Sequence, residues 1–193
     1  MDIKSYIQDS IETKTKILND TNTLSTIQNV ADVIVEAYKK DKKVLTAGNG
    51  GSAGDAQHIA GELVSKFFFD RPGLTAFSLA TDTSILTAIG NDYGYEKSFS
   101  RQIQANAKEN DVFIGISTSG NSKNIVLALE EAKKKGVITV GFVGQKECEM
   151  DKCCDYIIHV PSASTPTIQE SHIMIGHIIC ALVEEAIFSK VGV

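Results

Sequence analysis

Apolar positions recur at helical spacing through the first forty residues. Ile3, Ile7 and Ile11 share one face, and Ile27, Val30, Val33, Ile34 and Ala37 repeat the 3.6-residue period. Thr21, Asn22 and Thr23 fall between these stretches and offer hydroxyl or amide caps, so two helices are expected over residues 1 to about 40. The following Lys39-Lys40-Asp41-Lys42-Lys43 reads as a solvated helix end.

After residue 43 the pattern changes to short β-rich runs that alternate with helical stretches. The runs are Val44–Ala47, Thr75–Leu79, Val112–Ser117, Val137–Val143 and Tyr156–Val160. Helices are expected at roughly 52–66, 83–90, 98–108, 122–135 and 168–188. Alternation of this kind requires crossover connections, hence a mostly parallel five-stranded sheet with helices on both faces. Val112-Phe113-Ile114-Gly115-Ile116 is apolar on both faces, as a central parallel strand must be. Ligands of such folds sit outside the carboxyl ends of the strands, against helix N-termini.

Two strand-to-helix loops lie at such ends. Gly48-Asn49-Gly50-Gly51-Ser52 follows the first strand and opens a helix. Glycines permit the tight turn, and exposed N–H groups with the helix dipole favour an anion such as phosphate. Ser117-Thr118-Ser119-Gly120-Asn121-Ser122 follows the third strand and carries four hydroxyls, more than one helix cap requires. No Gly-Lys-Ser/Thr follows either loop, which excludes a Walker A motif. Gly48, Gly50 and Ala53 satisfy G-x-G-x-x-A, but a dinucleotide site also needs an acidic residue about twenty positions on, and Asp82 lies too far along.

Ionisable residues flank these loops. His58 and Glu62 are four apart on the helix opened by the first loop and so share a face. Gln169, Glu170, His172 and His177 cluster on the last helix, where imidazoles, a carboxylate and an amide oxygen suit zinc or iron. Gln169 and His177 are separated by roughly 12 Å of continuous helix. Both reach one ion only by leaning together, unless the helix starts late or two subunits contribute.

Composition narrows the function. The 193 residues are 42% hydrophobic and 22% charged, enough for one domain with a sizeable core. A net charge of −5 argues against nucleic acid as a partner. No run approaches the ~18 apolar residues of a membrane helix, and MDIKSYIQDS is too polar for a secretory signal. A cytoplasmic protein is expected. Cys148, Cys153, Cys154 and Cys180 lack zinc-module spacing and read chiefly as buried hydrophobes, with a soft-metal site at Cys148, Cys153 and Cys154 the lesser alternative. Phe67-Phe68-Phe69 suits the core or a subunit contact.

The strings AGNGGSAGDAQHIAGEL, AIGNDYGYEKSFSRQI, IGISTSGNSKNI and IQESHIMIGHI resemble the phosphoheptose isomerases of the SIS (sugar isomerase) superfamily, over nearly the whole chain. The resemblance implies an SIS-type three-layer αβα sandwich in one domain over residues 1–193, with helices in 1–42 serving oligomer contacts and the α/β core in 43–193. It implies conversion of sedoheptulose 7-phosphate to D-glycero-D-manno-heptose 7-phosphate through an enediol, for ADP- or GDP-heptose and then lipopolysaccharide or capsule. It implies a homotetramer with active sites at subunit contacts and one Zn2+ per subunit on His58, Glu62, Gln169 and His177. Substrate contacts carry over to Asn49, Gly50, Gly51, Ser52, Glu62, Asn91, Asp92, Ser117, Thr118, Ser119, Ser122 and Gln169. Glu62 and His177 are the expected acid/base pair. Relatives often carry Arg where this chain has Thr167, and are glycine-rich where it reads Gln145-Lys146-Glu147-Cys148-Glu149. Two other SIS readings stand beside this one. One is a non-catalytic protein of the replication-initiator-associating type, which lacks the acidic residue retained here as Glu62. The other is a sugar-phosphate-sensing domain, which usually carries a further domain.

Overall fold

A computed structural model describes residues 2–189. The elements run α1 (Ile3–Asn19), α2 (Thr21–Lys39), β1 (Val44–Gly48), α3 (Gly51–Val64), β2 (Ala76–Ser78), α4 (Thr83–Tyr93), α5 (Ser100–Asn106), β3 (Val112–Ile116), α6 (Lys123–Lys134), β4 (Ile138–Val143), β5 (Tyr156–His159) and α7 (Thr165–Phe188). Short 3-10 turns occupy Tyr95–Lys97 and Glu149–Lys152. All strand pairs are parallel, in the order β2-β1-β3-β4-β5. The chain leaves β1 toward β2 and returns on the other side as β3. The carboxyl ends of β1 and β3 therefore flank the crevice where strand order reverses.

Strand alternation divides the core between the two faces. Val44, Val112, Ile114, Ile116, Val140 and Phe142 meet α2, α3 and α7 on one side. Leu45, Ala47, Phe113 and Val143 meet residues of α5 and α6 on the other, including Ile103, Ile125 and Leu129. The sheet is thus buried on both faces, the expected three layers.

The differences from expectation are local. Asp20, not Thr21 to Thr23, separates the first helices: its carboxylate accepts the Asn22 N–H at 3.0 Å and the Thr23 hydroxyl at 2.6 Å. α4 continues through Asn91 and Asp92 until Gly94, whose φ of 88° stops it. α7 begins three residues before the expected 168, because Pro166 stands in the first turn, where no donor is needed. Lys43 is not solvated with the other lysines: it reaches Asp111 at 2.6 Å across the starts of β1 and β3. α7 is also long and apolar enough, by composition, to cross a membrane. In this fold it packs on α2 and α3, with His172 and Glu184 fully buried.

Candidate active site

The loop after β1 turns at Gly50, whose φ of 55° suits a residue without Cβ. Asn49 is held from two sides. It exchanges reciprocal amide hydrogen bonds of 2.9 Å with Asn124 on α6, and the Tyr95 hydroxyl donates to its Oδ1 at 2.8 Å. Neither Asn124 nor Tyr95 stood out in the sequence, since Asn124 is buried beyond the hydroxyl loop and Tyr95 sits in a 3-10 turn. Gly51 begins α3 directly beneath α7. A Cβ there would lie 2.6 Å from the Gln169 amide nitrogen, so glycine is what lets Gln169 approach the loop. Ser52 is buried in the same turn.

The loop after β3 gathers its serine hydroxyls, and Ser119 Oγ also accepts the Asn121 N–H at 3.2 Å. Ser117 Oγ lies 2.8 Å from Ser122 Oγ and 3.4 Å from Ser119 Oγ. Ser122 is the N-cap of α6 yet makes no side-chain cap bond, so its hydroxyl turns into the loop rather than to the helix. Thr118, Ser119 and Asn121 line a cavity of about 340 Å³ that Gly144, Lys146, Ser162 and Thr165 complete. The 145–149 segment, where this chain departs from the glycine-rich sequence of its relatives, therefore borders this loop. Thr167 is buried, its hydroxyl bonded to Ser164 at 3.1 Å.

Three of the expected metal ligands meet further along α3. His58 Nε2 lies 2.8 Å from His177 Nε2 and 3.2 Å from Glu62 Oε1. One ligand atom from each residue falls within 4.8 Å of the others, and among the described residues this is the one group of three or more such donors. The soft-metal reading of the cysteines finds no such gathering. Two imidazole nitrogens on one ion at about 2.0–2.1 Å stand a little over 3 Å apart. The observed 2.8 Å needs only slight opening, and two imidazoles with a carboxylate are a usual zinc donor set. The residues fit the ion. The Gln169 amide rests beside Gly51 at the start of α3.

The surroundings separate functional from structural groups. Asp55, one turn before His58, has a buried Oδ2 with no partner among the described residues. Burial pushes its carboxyl up to about 6, against the pull of His58. His172, expected near the metal, is instead enclosed against Phe142, with Nε2 on the Val143 carbonyl at 3.1 Å. Burial lowers its imidazole to about 4, so it stays neutral. Glu170 faces α1 and pairs with Lys14 at 2.7 Å. Both departures follow from helix geometry, which turns positions 170 and 172 away from the face shared by 169, 173 and 177. Phe67 packs against the core and stands 5.6 Å from the His177 ring, whereas Phe68 is exposed. Asn91 and Asp92 hydrogen-bond to each other on the exposed end of α4.

Residues 5–144 match the model of the SIS domain family. A phosphoheptose isomerase of Aneurinibacillus thermoaerophilus is 65% identical over 96% of this chain and 94% of its own. Phosphoheptose isomerase 2 of Campylobacter jejuni is 60% identical over 97% and 94%. The solved phosphoheptose isomerase of Francisella tularensis superposes with a TM-score of 0.91 at 33% identity, covering 95% of this chain and 96% of that one. With nearly the full length of each relative shared, and the strand order and crevice in place, this chain belongs to the phosphoheptose isomerases of the SIS family.

Proposed function

We propose that the protein isomerises sedoheptulose 7-phosphate to D-glycero-D-manno-heptose 7-phosphate at the crevice of β1 and β3. The observation that carries this reading is the meeting of His58, Glu62 and His177 within 4.8 Å on helices that start beside the two anion-binding loops. His58 follows Gly51 by seven residues, about 10 Å of helix rise. An extended seven-carbon sugar spans such a gap, with its phosphate on the loops and its C1 and C2 at the three side chains. Ser117, Thr118, Ser119 and Ser122 hold the phosphate together with Ser52 and the N–H groups of Gly50 and Gly51. Asn49 and Gln169 face the sugar between.

The Glu62 carboxylate removes a proton from C1 of the ketose, and the electron pair moves through C1–C2 to the carbonyl oxygen, giving an enediolate that becomes the enediol once O2 is protonated. His177 delivers a proton to O2 and takes one from O1. Glu62, whose captured proton exchanges with water at this solvent-open site, then protonates C2, which leaves an aldehyde at C1. Zn2+, one per subunit, would rest on His58, Glu62 and His177 and supply Lewis-acid polarisation of the O1 and O2 oxygens. Gln169 becomes the fourth donor if its amide turns from Gly51 toward His177. Four chains form a tetramer in which Asn91 and Asp92, exposed here, complete the site of a neighbouring protomer. The product would enter ADP- or GDP-heptose and a surface polysaccharide, chemistry of the cytoplasm.

An NMR time course of sedoheptulose 7-phosphate tests the reading. Manno-heptose 7-phosphate accumulates with the wild type. Glu62→Gln slows its formation by ~10²–10⁴-fold, the usual cost of losing a positioned acid/base group. Absence of turnover by the zinc-supplemented wild type would refute it.

A further inference from the structure

The reacting group is supplied by two helices: α3 carries His58 and Glu62, and α7 carries His177. A buried ion pair ties these helices together just beyond the group. Glu184, seven residues after His177, is 0% exposed, and the Arg71 side chain is 2% exposed. Glu184 accepts the N–H groups of Phe67 at 2.8 Å and Phe68 at 2.6 Å, and Nε of Arg71 at 2.9 Å.

The rest of the Arg71 guanidinium faces the end of α3. Nη2 donates to the Glu62 carbonyl at 2.9 Å. Nη1 donates to the carbonyls of Leu63 at 2.7 Å and Pro72 at 3.1 Å. The last carbonyls of a helix have no intrahelical partner and carry partial negative charge, which a cation there offsets. Here one of those carbonyls belongs to Glu62 itself. One of the N–H groups held by Glu184 belongs to Phe67, whose ring stands 5.6 Å from His177. One pair thus fixes the backbone of Glu62 and the aromatic wall of His177.

A buried ion pair is a poor device for stability alone, since well-packed apolar residues often do as well. The planar fork of arginine is suited to holding several oxygens in fixed directions. We propose that Arg71 and Glu184 are positioning residues for Glu62 and His177, setting α3 against α7 so that His58, Glu62 and His177 converge. This rests on the reading of those three residues as the reacting centre.

The paired variant Arg71→Met/Glu184→Met tests it without leaving a lone buried charge. In the metal-free protein, imidazole 15N NMR reports the hydrogen bond between His58 and His177. Titration with cobalt(II), followed by its visible absorption, reports whether the three donors close on one cation. The folded pair variant is expected to lose the bonded imidazole signal. Its cobalt affinity and kcat should each fall ~10–100-fold, as for other residues that orient ligands, while KM stays unchanged. Arg71→Lys, which keeps the charge but not the fork, should fall between. A folded variant with wild-type imidazole signals and cobalt affinity overturns the proposal. If the pair variant does not fold, Glu184→Gln is read in the same way. If neither folds, the pair is structural only and the proposal fails. Wild-type protein that binds cobalt but leaves heptose phosphate unchanged refutes the isomerase reading instead, and leaves the positioning of the triad standing.

Discussion

Four histidines share the sequence, and their surroundings sort them. His58 and His177 face each other through Nε2 at a site open to solvent. His159 spans the Gly144 carbonyl at 2.9 Å and Asp151 at 2.8 Å. His172 is sealed in the core with one nitrogen unpartnered among the described residues. From residue types alone, His172 was as good a ligand as His177. What separates them is the angular position on α7, which is fixed only when the helix docks. The neutral state of His172 has a consequence for stability. Its folded value, about 4, lies below the ordinary 6.5, so the unfolded chain binds more protons between those pH values. Stability should therefore be full above pH 6.5 and decline as the pH falls toward 4, by on the order of 3 kcal/mol from this group. Urea midpoints against pH should show that decline in the wild type and a shallower one in His172→Phe, with turnover retained. An equal pH dependence in the two proteins would contradict the assignment.

The elements were legible where periodicity is strong and local. Alternating strands and helices gave the parallel sheet, and the sheet placed the Gly48 and Ser117 loops at its switch point. Less legible were features that depend on distant partners. Arg71 and Glu184 are 113 residues apart, and nothing near either marks the pair. Lys43 looked like the end of a charged run until Asp111 met it across the sheet. The approach of α7 to α3 at Gly51 belongs to the same class and gives a direct test. Gly51→Ala puts a Cβ 2.6 Å from the Gln169 amide nitrogen, at the end of a flexible side chain, so the amide must turn away from the loop while α3 and α7 keep their places. Stability should change little, while the displaced Gln169 amide raises KM for the sugar phosphate. Both are measurable by thermal unfolding and initial rates. Gln169→Ala should relieve the clash in the double variant, and failure to do so would show that the strain lies elsewhere.

At the scale of the whole molecule, α1 presents Ile3, Ile7 and Ile11 at 78%, 53% and 52% exposure. Lys14 holds this helix to Glu170 on α7. A row of exposed isoleucines fits burial against another chain, in keeping with the tetramer proposed above. Light scattering at micromolar concentration should give about four times the 20.8 kDa chain mass. Ile7→Lys/Ile11→Lys should give smaller species with reduced activity. A wild-type monomer would rule out the shared site. The central claim is that Glu62 moves a proton between C1 and C2 at its meeting point with His58 and His177. It is tested most directly by running the isomerisation in deuterium oxide and reading C2 of the product by NMR, with Glu62→Gln alongside. Deuterium at C2, with turnover lost in the variant, is the predicted result. Product without solvent deuterium, formed equally well by Glu62→Gln, would mean that hydrogen moves directly between the carbons and that Glu62 is not the base.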